Sequence, residues 1–235
     1  GFNLPGGKIG VLVLHGFTGS PLSITPWANY LNSLGYTVSA PCLPGHGSSW
    51  QQMNKTTWQD WYKAAEQELL ELQKNCDRVF IAGFSMGGAL ALRLCQIRSS
   101  EVEGLLLLNP SIHDRRLFLK LTPLLKYFIS SVKKGPTDIA APNPIKHAYH
   151  RTPLKALDSL RKLWQIVERD LYLIDLPIMV AYSINDHAVD PENSMTVIDN
   201  IFSVDIREVI FENSYHNVAL DYDCDQLNTE SKVFI

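Results

Sequence analysis

Ser85 lies in the run FIAGFSMGGALAL (residues 80–92), where an apolar stretch enters Gly-x-Ser-x-Gly and leaves as a row of good helix formers. That order of residue types is the signature of a nucleophile elbow, a sharp strand-to-helix turn that lifts a serine hydroxyl above a sheet. Gly83 and Gly87 let strand and helix close around the turn, because neither carries a Cβ. The main-chain N–H of Met86 opens the helix and points into the same space, where it can meet a developing oxyanion. The chemistry such a turn serves is attack by a serine oxygen on a carbonyl carbon.

A serine hydroxyl is a poor nucleophile until a base takes its proton. In this arrangement an acid and then a histidine follow the serine along the chain. Of seven histidines, only His187 and His216 come late enough, and His216 follows the strand-like run ending at Phe211. His216 is therefore expected to be the general base, and His187 a neighbour of the acid. Two aspartates follow the strand-like run 177–183: Asp186, three residues on, and Asp190, seven on. The nearer is favoured. A second oxyanion donor is expected in LHGFTGSP (residues 14–21), where the N–H of Phe17 would meet that of Met86. The Phe17 ring is expected to line an acyl pocket, and His15 to be buried and structural.

These groups are useful only if a scaffold brings them together. Apolar runs at 9–14, 36–40, 79–83, 104–108, 177–183 and 206–211 read as six strands. Segments at 26–34, 58–75, 89–97 and from 226 onward read as helices. Strands alternating with helices imply an α/β domain, with a mostly parallel central sheet covered on both faces. One domain over 1–235 is expected, interrupted at 111–172 by a small, mainly helical inserted cap with helices at 116–131 and 152–173 and no strand. Leu117, Leu119, Leu121, Leu124, Leu125, Tyr127 and Phe128 are expected to pack the cap on the sheet and to supply an apolar wall for substrate.

Composition excludes several classes. With a formal charge of −3 and a pI near 6.2, the chain offers nothing to nucleic acid or to a polybasic membrane contact. No apolar run is long enough to span a bilayer, and residues 1–8 lack the pattern of a secretory leader. A cytoplasmic protein is expected, export staying open if a leader was removed. Cys42, Cys76, Cys95 and Cys224 are scattered with no C-x-x-C pair, so reduced thiols are expected and a zinc site is not.

Seven segments spread along the chain carry a resemblance: VLHGFTGSP (13–21), PGHG (44–47), TTWQDW (56–61), GFSMGG (83–88), AYHRTP (148–153), NDHAVDP (185–191) and NSYHNVALDYD (213–223). With them the sequence resembles the small bacterial monoacylglycerol lipases and carboxylesterases of the α/β-hydrolase fold. The resemblance implies hydrolysis of carboxylic esters with a fatty acyl part and a small alcohol, through Ser85, Asp186 rather than Asp190, and His216. It implies no metal or organic cofactor, a small-molecule ester partner with an apolar acyl chain, at most transient contact with a lipid surface, and a monomer or homodimer. In such lipases a cap isoleucine and a cap glutamate touch the glycerol. Ile139 matches the first, but His150 stands where the glutamate would be, so ester hydrolysis in general is the broader expectation. A serine nucleophile argues against dehalogenase and epoxide-hydrolase chemistry. C–C hydrolysis, perhydrolysis, acyl transfer to another alcohol, peptidase action and a non-catalytic binding role stay open.

Overall fold

A computed structural model describes residues 1–142, 144 and 148–235. The chain begins with β1 (Phe2–Leu4), β2 (Ile9–Leu14), α1 (Thr25–Ser33), β3 (Thr37–Ala40), a one-turn α2 (Trp50–Met53) and α3 (Trp58–Asn75). It continues through β4 (Arg78–Phe84), α4 (Met86–Arg98), β5 (Gly104–Leu108), α5 (Leu117–Leu125), β6 (Ser131–Lys133) and β7 (Arg151–Pro153). The last third is α6 (Leu154–Arg169), β8 (Ile178–Ser183), α7 (Glu192–Asn200), β9 (Ile206–Phe211) and α8 (Cys224–Phe234).

Seven strands form one sheet in the order β1-β3-β2-β4-β5-β8-β9, parallel except for β1. The central strands are apolar on both sides because both sides are covered. Along β2, Val11 and Val13 face the layer containing Trp27, Leu31 and Leu227 of α1 and α8. Leu12 and Leu14 face the opposite layer, with Trp61 and Leu69 of α3, Leu90 of α4 and Leu160 and Leu163 of α6. The period-two alternation is thus preserved inside a continuous hydrophobic run. Trp27 and Trp61 are fully buried, and truncating either to alanine would cost about 3–5 kcal/mol.

Register decides where the site forms. Leu14 pairs with Gly83, Phe84 with Leu108, Leu108 with Ala181 and Ser183 with Phe211. Five parallel strands therefore end nearly level, and the loops that follow them share one rim.

Three features differ from the sequence expectation. β1 is a short edge strand, too brief to show any periodicity. Segment 111–172 contains the antiparallel hairpin β6–β7, with Ser131 paired to Pro153 and Lys133 to Arg151. The guanidinium of Arg151 secures it, donating to Ser131 Oγ at 2.7 Å and to the Ser131 carbonyl at 2.9 Å. This pairing keeps residues 151–153 extended, and the restriction on the residue before Pro153 acts in the same direction, so the helix expected from 152 starts at Leu154. The expected helix 116–131 likewise stops at Leu125, just past Pro123 in its last turn. The third difference concerns α6, which is layered with α3 and α4 rather than lying above the sheet.

Candidate active site

Ser85 sits between β4 and α4 with φ 56° and ψ −119°. A non-glycine residue in that region is strained, and the strain is held by hydrogen bonds on both sides. Its N–H donates to the Leu108 carbonyl at 3.0 Å, and its carbonyl accepts the N–H groups of Gly88 at 2.9 Å and Ser111 at 3.1 Å. The turn is tight enough that a Cβ on Gly87 would lie 2.1 Å from the Leu14 carbonyl oxygen. The helix start is thereby pressed onto the end of β2.

The loops after β8 and β9 bring an acid and a histidine to this serine. His216 Nε2 lies 3.0 Å from Ser85 Oγ, and His216 Nδ1 lies 2.6 Å from Asp186 Oδ2. The second oxygen of Asp186 accepts the N–H groups of Ala188 and Val189, each at 2.8 Å, so its carboxylate is fixed by its own loop. The Asp186 side chain is almost fully buried and the imidazole largely so. The Phe84 ring lies 4.8 Å from the imidazole, centroid to centroid. Asp190 instead accepts the N–H of Glu192 at 2.9 Å, at the start of α7. His187 points its ring at Asp138, with Nδ1 2.9 Å from Oδ1.

The loop after β2 approaches the same point. A Cβ added to Gly16 would fall 3.2 Å from the Cβ of Ser85, which puts the main chain just before Phe17 beside that serine. Met86 is the first residue of α4, so its N–H has no carbonyl four residues back to bond within the helix. The Phe17 ring meets Trp61 and His46 edge-on at 5.9 and 6.5 Å. Beneath it His15 is fully buried: Nδ1 donates to the Gly16 carbonyl at 3.0 Å and Nε2 accepts the Leu43 N–H at 3.2 Å. These partners fix a neutral tautomer. Burial, then the neighbouring His46, lowers its pKa to about 3, and burial lowers that of His46 to about 4.

Several polar residues around the site carry no sequence motif of their own. Asn109, with φ 42° at the end of β5, donates from Nδ2 to the His216 carbonyl at 2.5 Å and accepts the Ser183 N–H at 2.8 Å. Its signal was faint: a lone amide directly after GLLLL, at the carboxyl end of a buried strand. Lys134 donates from Nζ to Thr18 Oγ1 at 2.7 Å, and burial brings its pKa down to about 8. Asp138 and Asp221 receive main-chain N–H groups from the loops around His216. Nothing in the local sequence marks Asp138, because its partners come from distant segments; Asp221 lies within NSYHNVALDYD, but its role there was not legible in the sequence.

Ile139 is buried and adjoins Asp138, next to the His216 loop. The His150 side chain is exposed, and its carbonyl accepts the Lys134 N–H at 3.0 Å. Of the cap's apolar residues, Leu119 is buried and Leu125 partly so, whereas Leu117, Leu121, Leu124, Tyr127 and Phe128 face outward.

Residues 8–223 match the family model described as serine aminopeptidase, S33. A thermostable monoacylglycerol lipase of Bacillus sp. (strain H-257) is 33% identical over 224 residues, covering 94% of this chain and 88% of its own length. A carboxylesterase of Bacillus subtilis (strain 168) is 26% identical over 238 residues, covering 100% of this chain and 95% of that protein. A solved structure from work on the metagenome-derived lipolytic enzymes LipS and LipT superposes with a TM-score of 0.96 at 31% identity, over 99% of this chain and 95% of the other.

Proposed function

This chain belongs to the serine hydrolase family described as serine aminopeptidase, S33, on the α/β-hydrolase fold, and we propose that it cleaves carboxylic esters with Ser85, His216 and Asp186 as its catalytic triad. The observation that carries the assignment of roles is the unbroken line from Ser85 Oγ to His216 Nε2 at 3.0 Å and from His216 Nδ1 to Asp186 Oδ2 at 2.6 Å.

In this reading Ser85 Oγ bonds to the ester carbonyl carbon while its proton passes to His216 Nε2. Asp186 holds the tautomer and stabilises the imidazolium. The oxyanion is met by the N–H groups of Phe17 and Met86, which are main-chain donors that need no reorganisation. As the acyl–oxygen bond breaks, His216 gives its proton to the leaving alcohol. A water then attacks the acyl-enzyme, His216 takes its proton, and the carboxylic acid leaves as Ser85 regains its hydrogen. Within the insertion 111–172, Leu119 and Ile139 are read as apolar contacts on one wall of the substrate site, with His150 at its outer edge.

Ester hydrolysis is favoured over aminopeptidase action by the electrostatics of the rim. A peptide amino terminus needs a carboxylate with free acceptors. The three carboxylates beside His216, those of Asp186, Asp138 and Asp221, already accept hydrogen bonds on both oxygens. The four free thiols support a reducing, cytoplasmic setting, and among the described residues no helix is long and apolar enough to cross a membrane.

Labelling with a fluorophosphonate, located at Ser85 by mass spectrometry, tests the nucleophile; no adduct on an active preparation would refute it. Rates on monoacylglycerols and on simple alkyl esters of the same acid decide the alcohol. A preference for the glycerol ester supports a polar alcohol site near Ile139 and His150, and equal rates leave carboxylesterase as the better description.

A further inference from the structure

The catalytic loops after β8 and β9 are tied together at their roots. Ser183 Oγ donates to the Ser214 carbonyl, and Asn185 Nδ2 donates to the Glu212 carbonyl at 2.8 Å. Their tips, where Asp186 and His216 must stay within hydrogen-bond distance, are held by a residue of the cap. Asp138 Oδ1 is bonded by the His187 ring at 2.9 Å, and Oδ2 accepts the N–H groups of His187 at 2.9 Å and of His216 at 3.3 Å. Its carbonyl accepts the Asn217 N–H at 3.3 Å. One side chain thus touches the residue after the acid and the histidine itself.

The segment around Asp138 is anchored from the far side. Asp221 accepts the N–H groups of Ala140 at 2.7 Å and Ala141 at 2.9 Å, and also that of Tyr215, next to His216, at 2.9 Å. At the other end of the segment, Lys134 grips Thr18, which has φ 62° and follows Phe17. Residues 134–141 therefore run as a strap from the oxyanion loop to the loops of the acid and the base. If the strap lifts, Asp138 leaves both loop tips at once.

We propose that Asp138 is a positioning residue for ester hydrolysis, coupling the seating of the cap to the alignment of Asp186 and His216. The proposal rests on the triad reading above. Its physical basis is that a loop drift of about 1 Å is enough to cost on the order of 10²-fold in rate.

The test compares wild type, Asp138→Ala and Asp138→Asn by steady-state hydrolysis of p-nitrophenyl butyrate, by the rate of fluorophosphonate labelling, and by Tm. For Asp138→Ala, kcat and labelling rate are expected to fall by roughly 10²-fold while KM stays within about threefold. Asp138→Asn keeps one carbonyl acceptor and is expected to recover about tenfold of that loss. A labelling rate at the wild-type level, with the change confined to Tm or to KM, overturns the proposal. Should the alanine variant fail to fold, Asp138→Asn decides: labelling about three- to tenfold slower at unchanged Tm supports the proposal, and a wild-type rate sinks it. A wild-type protein that takes no label at Ser85 refutes the triad itself, which separates the two failures.

Discussion

The nucleophile elbow and the cap helix α5 are built from similarly apolar sequence and end in opposite environments. Residues 80–92, FIAGFSMGGALAL, are buried from end to end. In α5 and the turn after it, LFLKLTPLLKYF, Leu117 is 73% exposed, Tyr127 73% and Phe128 80%. The elbow is clamped by main-chain bonds to β5 and by the contact of Gly87 with β2. The cap is held by a short hairpin and by a few side chains, among them Arg151, Asp138, Asp221, Lys134 and Lys126, whose ammonium meets the buried Asp158 at 2.6 Å. The same hydrophobicity therefore serves two ends. In the elbow it packs a turn that is clamped on both sides; in the cap it leaves an apolar surface on a lightly fastened element.

The largest effect that tests this contrast is chemical. Ser85→Ala should lower kcat/KM on p-nitrophenyl esters by about 10⁴-fold or more with Tm nearly unchanged, because it removes one hydroxyl and leaves the clamp intact. His216→Ala should behave alike, and Asp186→Asn should retain more activity. Turnover by Ser85→Ala at a measurable fraction of wild type would remove the elbow from the mechanism.

The next effect is on stability against acid. His15 and His46 stay neutral in the folded chain down to about 3 and about 4, whereas in the unfolded chain they take up protons below about 6.5. Between those limits the unfolded state binds more protons, so stability falls as pH drops. At pH 5 the cost is about 2 kcal/mol per histidine, and Tm should fall by roughly 10 °C relative to pH 7.5. Asp170, held low by its bond from Arg169, loses its contribution only below the ordinary carboxylate range and does not blur this window. A flat melting profile between pH 7.5 and 5 would show that the floor of the loop after β2 is less rigid than the elbow.

Gly87→Ala should cost about 3 kcal/mol, read as a shifted urea midpoint, since its Cβ would fall against a backbone oxygen rather than a flexible side chain. The smallest effect belongs to the cap surface. Phe128→Ser should change stability by less than about 0.5 kcal/mol, because the ring has little burial to lose. A large loss there would mean that the outer face of the cap is covered in solution.

Much of the sheet was legible because buried parallel strands write themselves as short, dense apolar runs: IGVLVL, GLLLL and IMVAYS stand out against any neighbouring segment. Helix α3 was equally plain, since its 18 residues carry a clean helical period. The hairpin β6–β7 was not, because each strand has three residues and its pairing depends on Arg151 reaching back to Ser131. The serine expected as nucleophile could be singled out because the elbow is a local device, complete within five residues. The acid and base expected to follow it could be ordered along the chain but not joined, since 30 residues separate Asp186 from His216.

The sequence by itself determined the strand-turn-helix that carries Ser85, the alternation of strands and helices that makes a parallel sheet, and the chain order of the groups that follow. Those are properties of local conformation and of period, which neighbouring residues set. Only the tertiary structure decided that five strands end level, that Asp138 and Asn109 serve the histidine loop, and which cap leucines turn inward. Each depends on surfaces from distant segments meeting, and that meeting is governed by packing and desolvation over the whole domain rather than by any run of residues.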